Sequence, residues 1–571
     1  MATHARSLRL LERLVIVALG LALFAVQAIL LRDWLVDDSG ISFAYAINLA
    51  QGHGLVSQPG VAPVEGYSNP VWVALLAALS RSGAFALPLA PKIVSGAFVA
   101  ATYATLLALI DRVAVHPRLV GICAVVACAL NPAVVIWCSS GLENATYAWI
   151  VVTLAYGIVR AIESPPSTRT FAICGAAAAV AAMTRPDGVL FAIATPAAAF
   201  ATGARSKRPL LAYGATFAFL FGAFLAARIA IFHHLVPNTA VAKGGPHLAD
   251  AIDFLLFTRL GIDKLDALLE AAFPAPIANV VFAGASLAVW ALAKHGGIRA
   301  PLKALLVCTA LALVDYMLMP ADWMRETRFG TAFFPLYDAA VFVLVDLAVD
   351  LAAVRRKALA VATVLGSLLC ISVPAYAGRA LTFARDTNIS LYFVRSAYAE
   401  RFDRYAAALH VANGSVLLPD IGGMLLWSHL RVYDLAGLCD ASIARLGVRD
   451  PEGARDHILA DVRPTFIHTY GKFSRVALER DPRFDRDYVP IHTYDKEEDP
   501  ASQGHASGIF VRREVVATPE AEAALESMRR ETHDRKAFYV PLRPSLLYRW
   551  LEHTRLIPVE YRGLSIRHIV L

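Results

Sequence analysis

The sequence predicts a polytopic α-helical membrane protein with a water-soluble α/β domain at its C-terminal end, and three observations predict it. Of the 571 residues, 57% are hydrophobic and only 17% charged, against the ~25% charge of soluble domains. The apolar residues form runs of membrane-spanning length until about residue 377, after which the chain turns charged and proline-punctuated. The basic residues gather in short clusters between the runs. A water-soluble enzyme of this size is excluded. The net charge of +7 would point to nucleic acid in a soluble protein, but clustered in this way it marks membrane topology, and no nucleic-acid partner is expected.

The elements follow in order. The first apolar run, Leu14 to Leu31, comes after Arg6, Arg9 and Arg13 and ends in Leu30-Leu31-Arg32-Asp33-Trp34. It lacks a small-residue cleavage site, so it reads as a retained span. A span needs ~20 apolar residues, and candidates lie at 12–31, 91–111, 118–137, 142–162, 168–184, 187–203, 209–232, 276–294, 302–320, 333–353 and 356–377, about eleven in all. Pro70 to Ser80 is apolar but too short to cross, and is expected to lie along the interface. With the N-terminus cytoplasmic, the clusters Arg112/Arg118, Arg160/Arg169, Arg205/Lys207/Arg208, Lys294/Arg299/Lys303 and Arg355/Arg356/Lys357 all fall inside, as positive-inside topology requires.

The opposite face then receives residues 32–90, the corners at Asn131 to Asn144 and Thr184 to Gly188, residues 233–275 and 321–332, and everything after about Gly378. The expected organisation is a membrane domain, 1–377, with its first external loop at 32–90, and an extracytoplasmic α/β domain, 378–571. The expected location is the bacterial cytoplasmic (inner) membrane. In the tail, 391–412 has amphipathic helical spacing, while Val416 to Leu418, Val432 to Leu435 and Thr465 to Thr469 read as strands. Of the seven cysteines, all but Cys439 lie in or beside apolar runs, so neither a disulfide framework nor a metal-type spacing follows.

The unusual polar residues collect on the external side. Asp37 and Asp38 follow the first span directly, and Ile41, Tyr45 and Leu49 give the next stretch an apolar helical face. The two carboxylates are then held at headgroup depth, placed to bind a divalent cation or to divide the work of deprotonating and orienting an acceptor hydroxyl. A solvated acidic loop is the plain alternative. Glycines flank His53 and follow Glu65, and Tyr67 and Asn69 come next. Tight turns can fold these groups back over the membrane surface, and such a mixture of donors, acceptors and rings suits a sugar. Arg185, Lys243, Arg325 and Arg328 are basic residues on the external side, against the positive-inside bias; each alone is explained as a snorkelling cation, but together they suit an anionic phosphate.

Several segments occur in a fixed order: Asp37-Asp38-Ser39-Gly40-Ile41-Ser42-Phe43-Ala44-Tyr45-Ala46, Gly52-His53-Gly54-Leu55-Val56, Glu65-Gly66-Tyr67-Ser68-Asn69, Thr184-Arg185-Pro186-Asp187-Gly188, Pro237-Asn238-Thr239 with Lys243, and Asp322-Trp323-Met324 with Arg328. The set resembles the GT-C glycosyltransferases, in particular the group holding the terminal arabinofuranosyltransferases of mycobacterial cell walls and a pilin-modifying arabinofuranosyltransferase. The resemblance runs to about residue 335, and Asp420-Ile421-Gly422-Gly423 and Tyr433-Asp434-Leu435-Ala436-Gly437-Leu438 extend it into the tail. It implies a sugar donor on a polyprenyl monophosphate, transferred outside the cytoplasm to a cell-envelope glycan, lipid-linked glycan or surface protein.

The implied reaction is displacement at the anomeric carbon. Asp37 or Asp38 acts as base or stabilises positive charge on the ring, Asp37 being slightly preferred because the first carboxylate of the external loop takes that role in related folds. Arg185, Arg325 and Arg328 stabilise the leaving phosphate. Glu143 offers a further carboxylate, though a helix N-terminal acid complementing the dipole is the favoured reading. Asp315, Asp338 and Asp346 fall within predicted spans, where a charge faces a cavity or a partner. A transporter or flippase for a lipid-linked sugar is the competing class; it calls for related halves and broken helices at the midplane, and neither stands out in the sequence.

Overall fold

We describe the protein from a computed structural model. It covers residues 2–571 apart from 205, 244–258, 275–276, 295–296, 320–321, 352–353, 448–449, 472, 474–477, 479–480, 495–506, 535–537, 542–566 and 571. Much of the expected 233–275 loop and of the far C-terminal segment therefore lies outside the described residues.

The helices stand where the apolar runs place them: α1 (Ala2–Leu30), α2 (Asp37–Ala50), α3 (Pro70–Arg81), α4 (Leu89–Val113), α5 (Pro117–Leu130), α6 (Pro132–Cys138), α7 (Asn144–Glu163), α8 (Thr168–Thr184), a 3₁₀ segment Pro186–Ile193 leading into α9 (Ala194–Thr202), α10 (Lys207–Phe232), α11 (Asn238–Ala242), α12 (Arg259–Ala272), α13 (Ile277–Lys294), α14 (Ala300–Leu318), α15 (Phe333–Leu351) and α16 (Lys357–Arg385). The chain is a multi-pass membrane protein. Among the described residues, seven helices are long and apolar enough to cross, and eight if α5 and α6, bent by 63°, count as one.

The difference from the expected eleven has physical causes. α8 and Pro186–Thr202 are apolar but short, and α15 carries Asp338, Asp346 and Asp350 along its length. The deepest of these, Asp346, is accommodated by partners. Asp346 accepts from the amides of Val115 and His116 at 2.7 and 2.9 Å and meets His116 Nδ1 at 2.7 Å. The α5–α6 bend falls at Asn131-Pro132, where the ring removes a helix hydrogen bond and the Asn131 side chain caps Ala133. As expected of a segment too short to span, Pro70 starts the separate helix α3.

α16 runs on to Arg385, beyond the expected end of the last span near 377. After it, a helical stretch passes from Leu391–Val394 through a π-turn at Arg395–Ala399 to Glu400–Ala408. It covers a mixed sheet of β1 (Ser415–Leu418), β2 (Arg431–Asp434), β3 (Phe466–Thr469), β4 (Tyr488–Thr493) and β5 (Gly508–Arg512), ordered β2-β1-β3-β5-β4. β2 and β3 run parallel to β1, and β5 runs antiparallel to both β3 and β4. The three strands expected from the sequence are β1, β2 and β3. Val416, Leu418, Val432, Phe466 and Ile509 pack in one apolar core with Tyr45, Trp72, Phe402 and Tyr405, so the sheet and the first polar loop share a hydrophobic interior.

Backbone pairing reinforces that junction. Val36 and Ser390 form an antiparallel bridge, the Asp37 amide donates to Ile389 O at 3.0 Å, and the Leu391 amide donates to Leu35 O at 2.8 Å. The N-terminus of α2, where both acidic residues sit, is thus stitched to the chain leaving α16.

Candidate active site

α2 begins with Asp37 and Asp38 side by side, and successive helical residues point about 100° apart. The two carboxylates consequently meet different surroundings. Asp37 is buried, at 5% exposure, and its oxygens accept from the Gly423 amide at 2.8 Å and the Gly422 amide at 2.9 Å. It caps the short helix Gly422–Trp427 across the junction. Gly422 is required there: a Cβ would lie 1.8 Å from Asp37 O. Burial first, and then Asp420, push Asp37 well above the usual carboxylate range, against the two amides.

Asp38 keeps a third of its side-chain surface open, at 33%, with Arg328 Nη1 3.8 Å away. Arg328 is itself 8% exposed and is fixed by Asp322, whose Oδ2 lies 2.8 Å from its Nε. Its guanidinium lies over the rings of Phe329 and Trp137, 4.5 and 5.9 Å from their centroids. Burial raises Asp38, while Arg328 and then Lys243 pull it back. Lys243 is exposed by surface area, yet enough protein surrounds it at longer range for desolvation, followed by Arg328, to lower its ammonium, with Asp38 and Asp322 opposing.

The loop bearing Arg328 is strained. Glu326 and Thr327, neither of them glycine, have φ of 62° and 44°, a region costly for residues with a Cβ. Trp137 Nε1 holds the turn by donating to Arg325 O at 3.1 Å and Glu326 O at 2.9 Å, Arg379 pairs with Glu326, and Asn144 Nδ2 donates to Arg328 O at 3.0 Å.

A second line of groups runs inward. Ser42 Oγ donates to Asn69 Oδ1 at 3.0 Å, Asn69 Nδ2 to Glu143 Oε2 at 2.7 Å, and Arg185 Nη1 to Glu143 Oε1 at 3.3 Å. Arg185 Nε meets both oxygens of Asp187, at 3.1 and 3.0 Å. Gly188 permits this corner, since a Cβ there would lie 2.2 Å from Ala181 O. Arg185 also lies over Tyr147 and Phe329, 5.2 and 4.8 Å from their centroids, and Tyr147 Oη donates to Asp315 at 3.2 Å. Glu143 lies at the N-cap of α7 but its side chain caps no amide; it binds Asn69 and Arg185 instead. Arg185 is committed to two carboxylates, whereas Arg328 and Lys243 are the cations whose charge falls on Asp38.

The remaining sequence-selected residues lie elsewhere. Glu65 forms a buried pair with Arg228, at 3.0 Å (Oε1) and 2.8 Å (Oε2). Asn238 Nδ2 donates to Gly437 O at 2.8 Å and Leu438 O at 2.9 Å, and the Asn238 amide donates to Glu65 O at 3.1 Å. Tyr67 packs edge-on against Tyr45 and Phe232. These three tie the first loop, α10 and the 437–440 turn together. His53 sits in an exposed turn, Trp323 is 61% exposed, and Arg325 pairs with Asp386 at 2.5 Å near the surface. The structure does not bring these last three to Asp38.

The Asp37–Asp38 pair does not fit a divalent cation, because the Asp37 oxygens already accept two amides and Asp38 faces Arg328. Among the described residues no three His, Cys, Asp or Glu side chains converge on a cation position. Sequence reasoning did not select Ser42, Tyr147, Phe329 and Arg228; Arg228 alone had a sequence signal, as a charge inside the 209–232 run.

No protein-family model matches the chain, and no curated protein matches it by sequence. Solved structures do. The chain aligns with the apo oligosaccharyltransferase of Archaeoglobus fulgidus at a TM-score of 0.52 and 11% identity, covering 98% of this chain and 88% of that one. It aligns with the archaeal oligosaccharyltransferase AglB of the same organism, in complex with an inhibitory peptide and a dolichol-phosphate, at 0.50 and 11%, covering 78% and 69%. Arabinosyltransferase EmbB from Mycobacterium smegmatis aligns at 0.38 and 14%, over 58% of this chain and 30% of that one, a likeness too low to carry an argument. At these identities the kinship is one of fold: the chain shares the membrane fold of these oligosaccharyltransferases.

Proposed function

We propose that the protein is a membrane glycosyltransferase that moves a sugar, arabinofuranose in the first instance, from a polyprenyl monophosphate to an envelope glycan or surface-protein acceptor. The observation that carries this reading is the open Asp38 carboxylate facing Arg328 and Lys243 at the junction of the helices and the sheet. Lys243 and Arg328 receive the donor phosphate, and Phe329 and Trp137 support the guanidinium. The complex of AglB with a dolichol-phosphate supports a prenyl-phosphate ligand in a fold of this kind.

In the proposed step the acceptor oxygen bonds to the anomeric carbon and its proton passes to Asp38. The bond from the anomeric carbon to the phosphate oxygen breaks, and its electron pair leaves with the phosphate. Arg328 and Lys243 stabilise that developing charge, and Asp38 faces the positive charge on the ring. The geometry favours Asp38 over Asp37 for this role, since the Asp37 oxygens are occupied. Arg185, fixed by Glu143 and Asp187, shapes the inner wall. The site and the sheet domain lie on the extracytoplasmic side in this reading, which follows from the basic clusters.

The test is release of polyprenyl phosphate from synthetic polyprenyl-phosphate arabinofuranose by the purified protein, with Asp38→Asn as control and with and without chelator. Release by the native chain alone supports the reading. No release by folded protein across a panel of lipid-linked sugars would overturn it in favour of transport, which counter-flow in proteoliposomes would then detect.

A further inference from the structure

The sheet has a topological switch beside the acidic end of α2. β1 is followed by the crossover helix Gly422–Trp427 to β2 on one side, and β3 pairs with its other edge. The strand order thus reverses between β1 and β3, and in open α/β sheets the region outside the carboxyl ends of the strands at such a point is where ligands bind. Here those ends are Leu418, followed by Pro419-Asp420, and Thr469, followed by Tyr470. Tyr470 Oη donates to Asp420 Oδ2 at 2.8 Å, bridging the two strand ends.

These strand ends lie beside the site already described, since Asp420 acts on Asp37 and is acted on by Asp38. Asp420 is two residues before Gly422, which with Gly423 holds Asp37. A line of rings extends from it: Tyr398 to His468 at 4.5 Å, His468 to Tyr470 at 5.6 Å and Tyr470 to Phe473 at 6.0 Å between centroids. His468 is fully buried, and its Nδ1 has no hydrogen-bond partner among the described residues. Asp420, Tyr470 and Phe473 keep part of their surface open, with the buried Tyr398 and His468 behind them; a carboxylate, a phenol and a ring face are groups that read a saccharide, whose hydroxyls need partners and whose C–H face stacks.

We propose that the crevice between the ends of β1 and β3 is the acceptor site, where Asp420 accepts a hydrogen bond from a saccharide hydroxyl presented to Asp38 and Tyr470 holds Asp420 in position. This rests on the glycosyl-transfer reading and adds the acceptor class and its contact residue. Burial lifts Asp420 to about 7, with Tyr470 lowering it and Asp38 raising it.

The experiment uses the full chain in nanodiscs, synthetic polyprenyl-phosphate arabinofuranose as donor, and methyl arabinofuranoside, methyl galactopyranoside and methyl mannopyranoside as acceptor probes. Asp420→Asn raises the KM of the preferred acceptor about tenfold or more, as expected for loss of a charge-assisted hydrogen bond, and moves the donor KM less than about twofold. Tyr470→Phe gives the same split at a smaller size, and Asp420→Glu recovers part of the loss. An unchanged acceptor KM in Asp420→Asn, or an equal rise in both KM values, overturns the inference. Should Asp420→Asn fail to fold, Tyr470→Phe decides by the same criterion. Calorimetric binding of the methyl glycosides, weakened in the variants, tests the crevice apart from turnover. A native protein that binds a glycoside there but cleaves no lipid-linked donor defeats the glycosyl-transfer reading and not the crevice.

Discussion

Two charge clusters built from the same polar loops have opposite characters. Around Asp38, the carboxylate is a third open and 3.8 Å from an arginine already engaged by Asp322. Around Glu65, the pair with Arg228 is closed on both sides at 3.0 and 2.8 Å, and Asn238 clamps the turn beside it. The first leaves a third of its carboxylate surface open; the second uses its charge to fix elements in place. Neighbouring polar positions can therefore stay partly open or close fully on a structural partner, and pairing geometry tells them apart.

The contrast can be broken most severely at Asp38. Asp38→Asn lowers turnover about 10²–10⁴-fold, as expected for loss of a general base, without changing assembly in the membrane as judged by size-exclusion chromatography. Arg328→Gln follows, with about a 10²–10³-fold loss in kcat; Arg325→Gln, whose partner is Asp386, stays near the native rate in the same assay. Chelator leaves the native rate unchanged, since Asp37 is occupied by amides.

Glu65→Gln breaks the docking cluster instead. Leaving Arg228 buried without its partner destabilises the protein by about 3–5 kcal/mol, read as a fall in thermal midpoint, while donor KM on the folded fraction is unchanged. The apolar double variant Glu65→Leu/Arg228→Met recovers most of that stability, because the desolvation cost disappears with the charges.

A smaller effect distinguishes Asp420. Its carboxylate lies at about 7 in the fold against ~3.9 in an unfolded chain, so across this interval the folded state binds more protons. This contribution to stability is greatest below about 4 and falls as pH rises to about 7. Asp37, Asp38, Tyr398 and Tyr470 are the titratable groups around it. The drop in thermal midpoint from pH 5 to pH 8 is thus smaller in Asp420→Asn than in the native protein. The smallest effects come from His53→Ala and Trp323→Ala, both within about twofold of native turnover.

What the sequence by itself determined is the membrane character, the position of each long helix, the short α3 and the first three strands. Apolar run length and proline placement act locally, so they are readable without contacts. The sequence also selected Asp38, Asn69, Glu143, Arg185, Lys243 and Arg328 as polar residues collected on one side of the membrane, and Asp187 and Asp322 through the ordered segments that carry the resemblance. Only the tertiary structure divided Asp37 from Asp38: adjacent on the chain, they are turned by the helix toward different neighbours, and those neighbours come from Gly422 and Arg328, hundreds of residues away. The same distance hid the roles of Arg228, Phe329 and Asp420. A side chain's chemistry depends on the charge, amides and rings packed around it, and these are assembled by the docking of the sheet against α2.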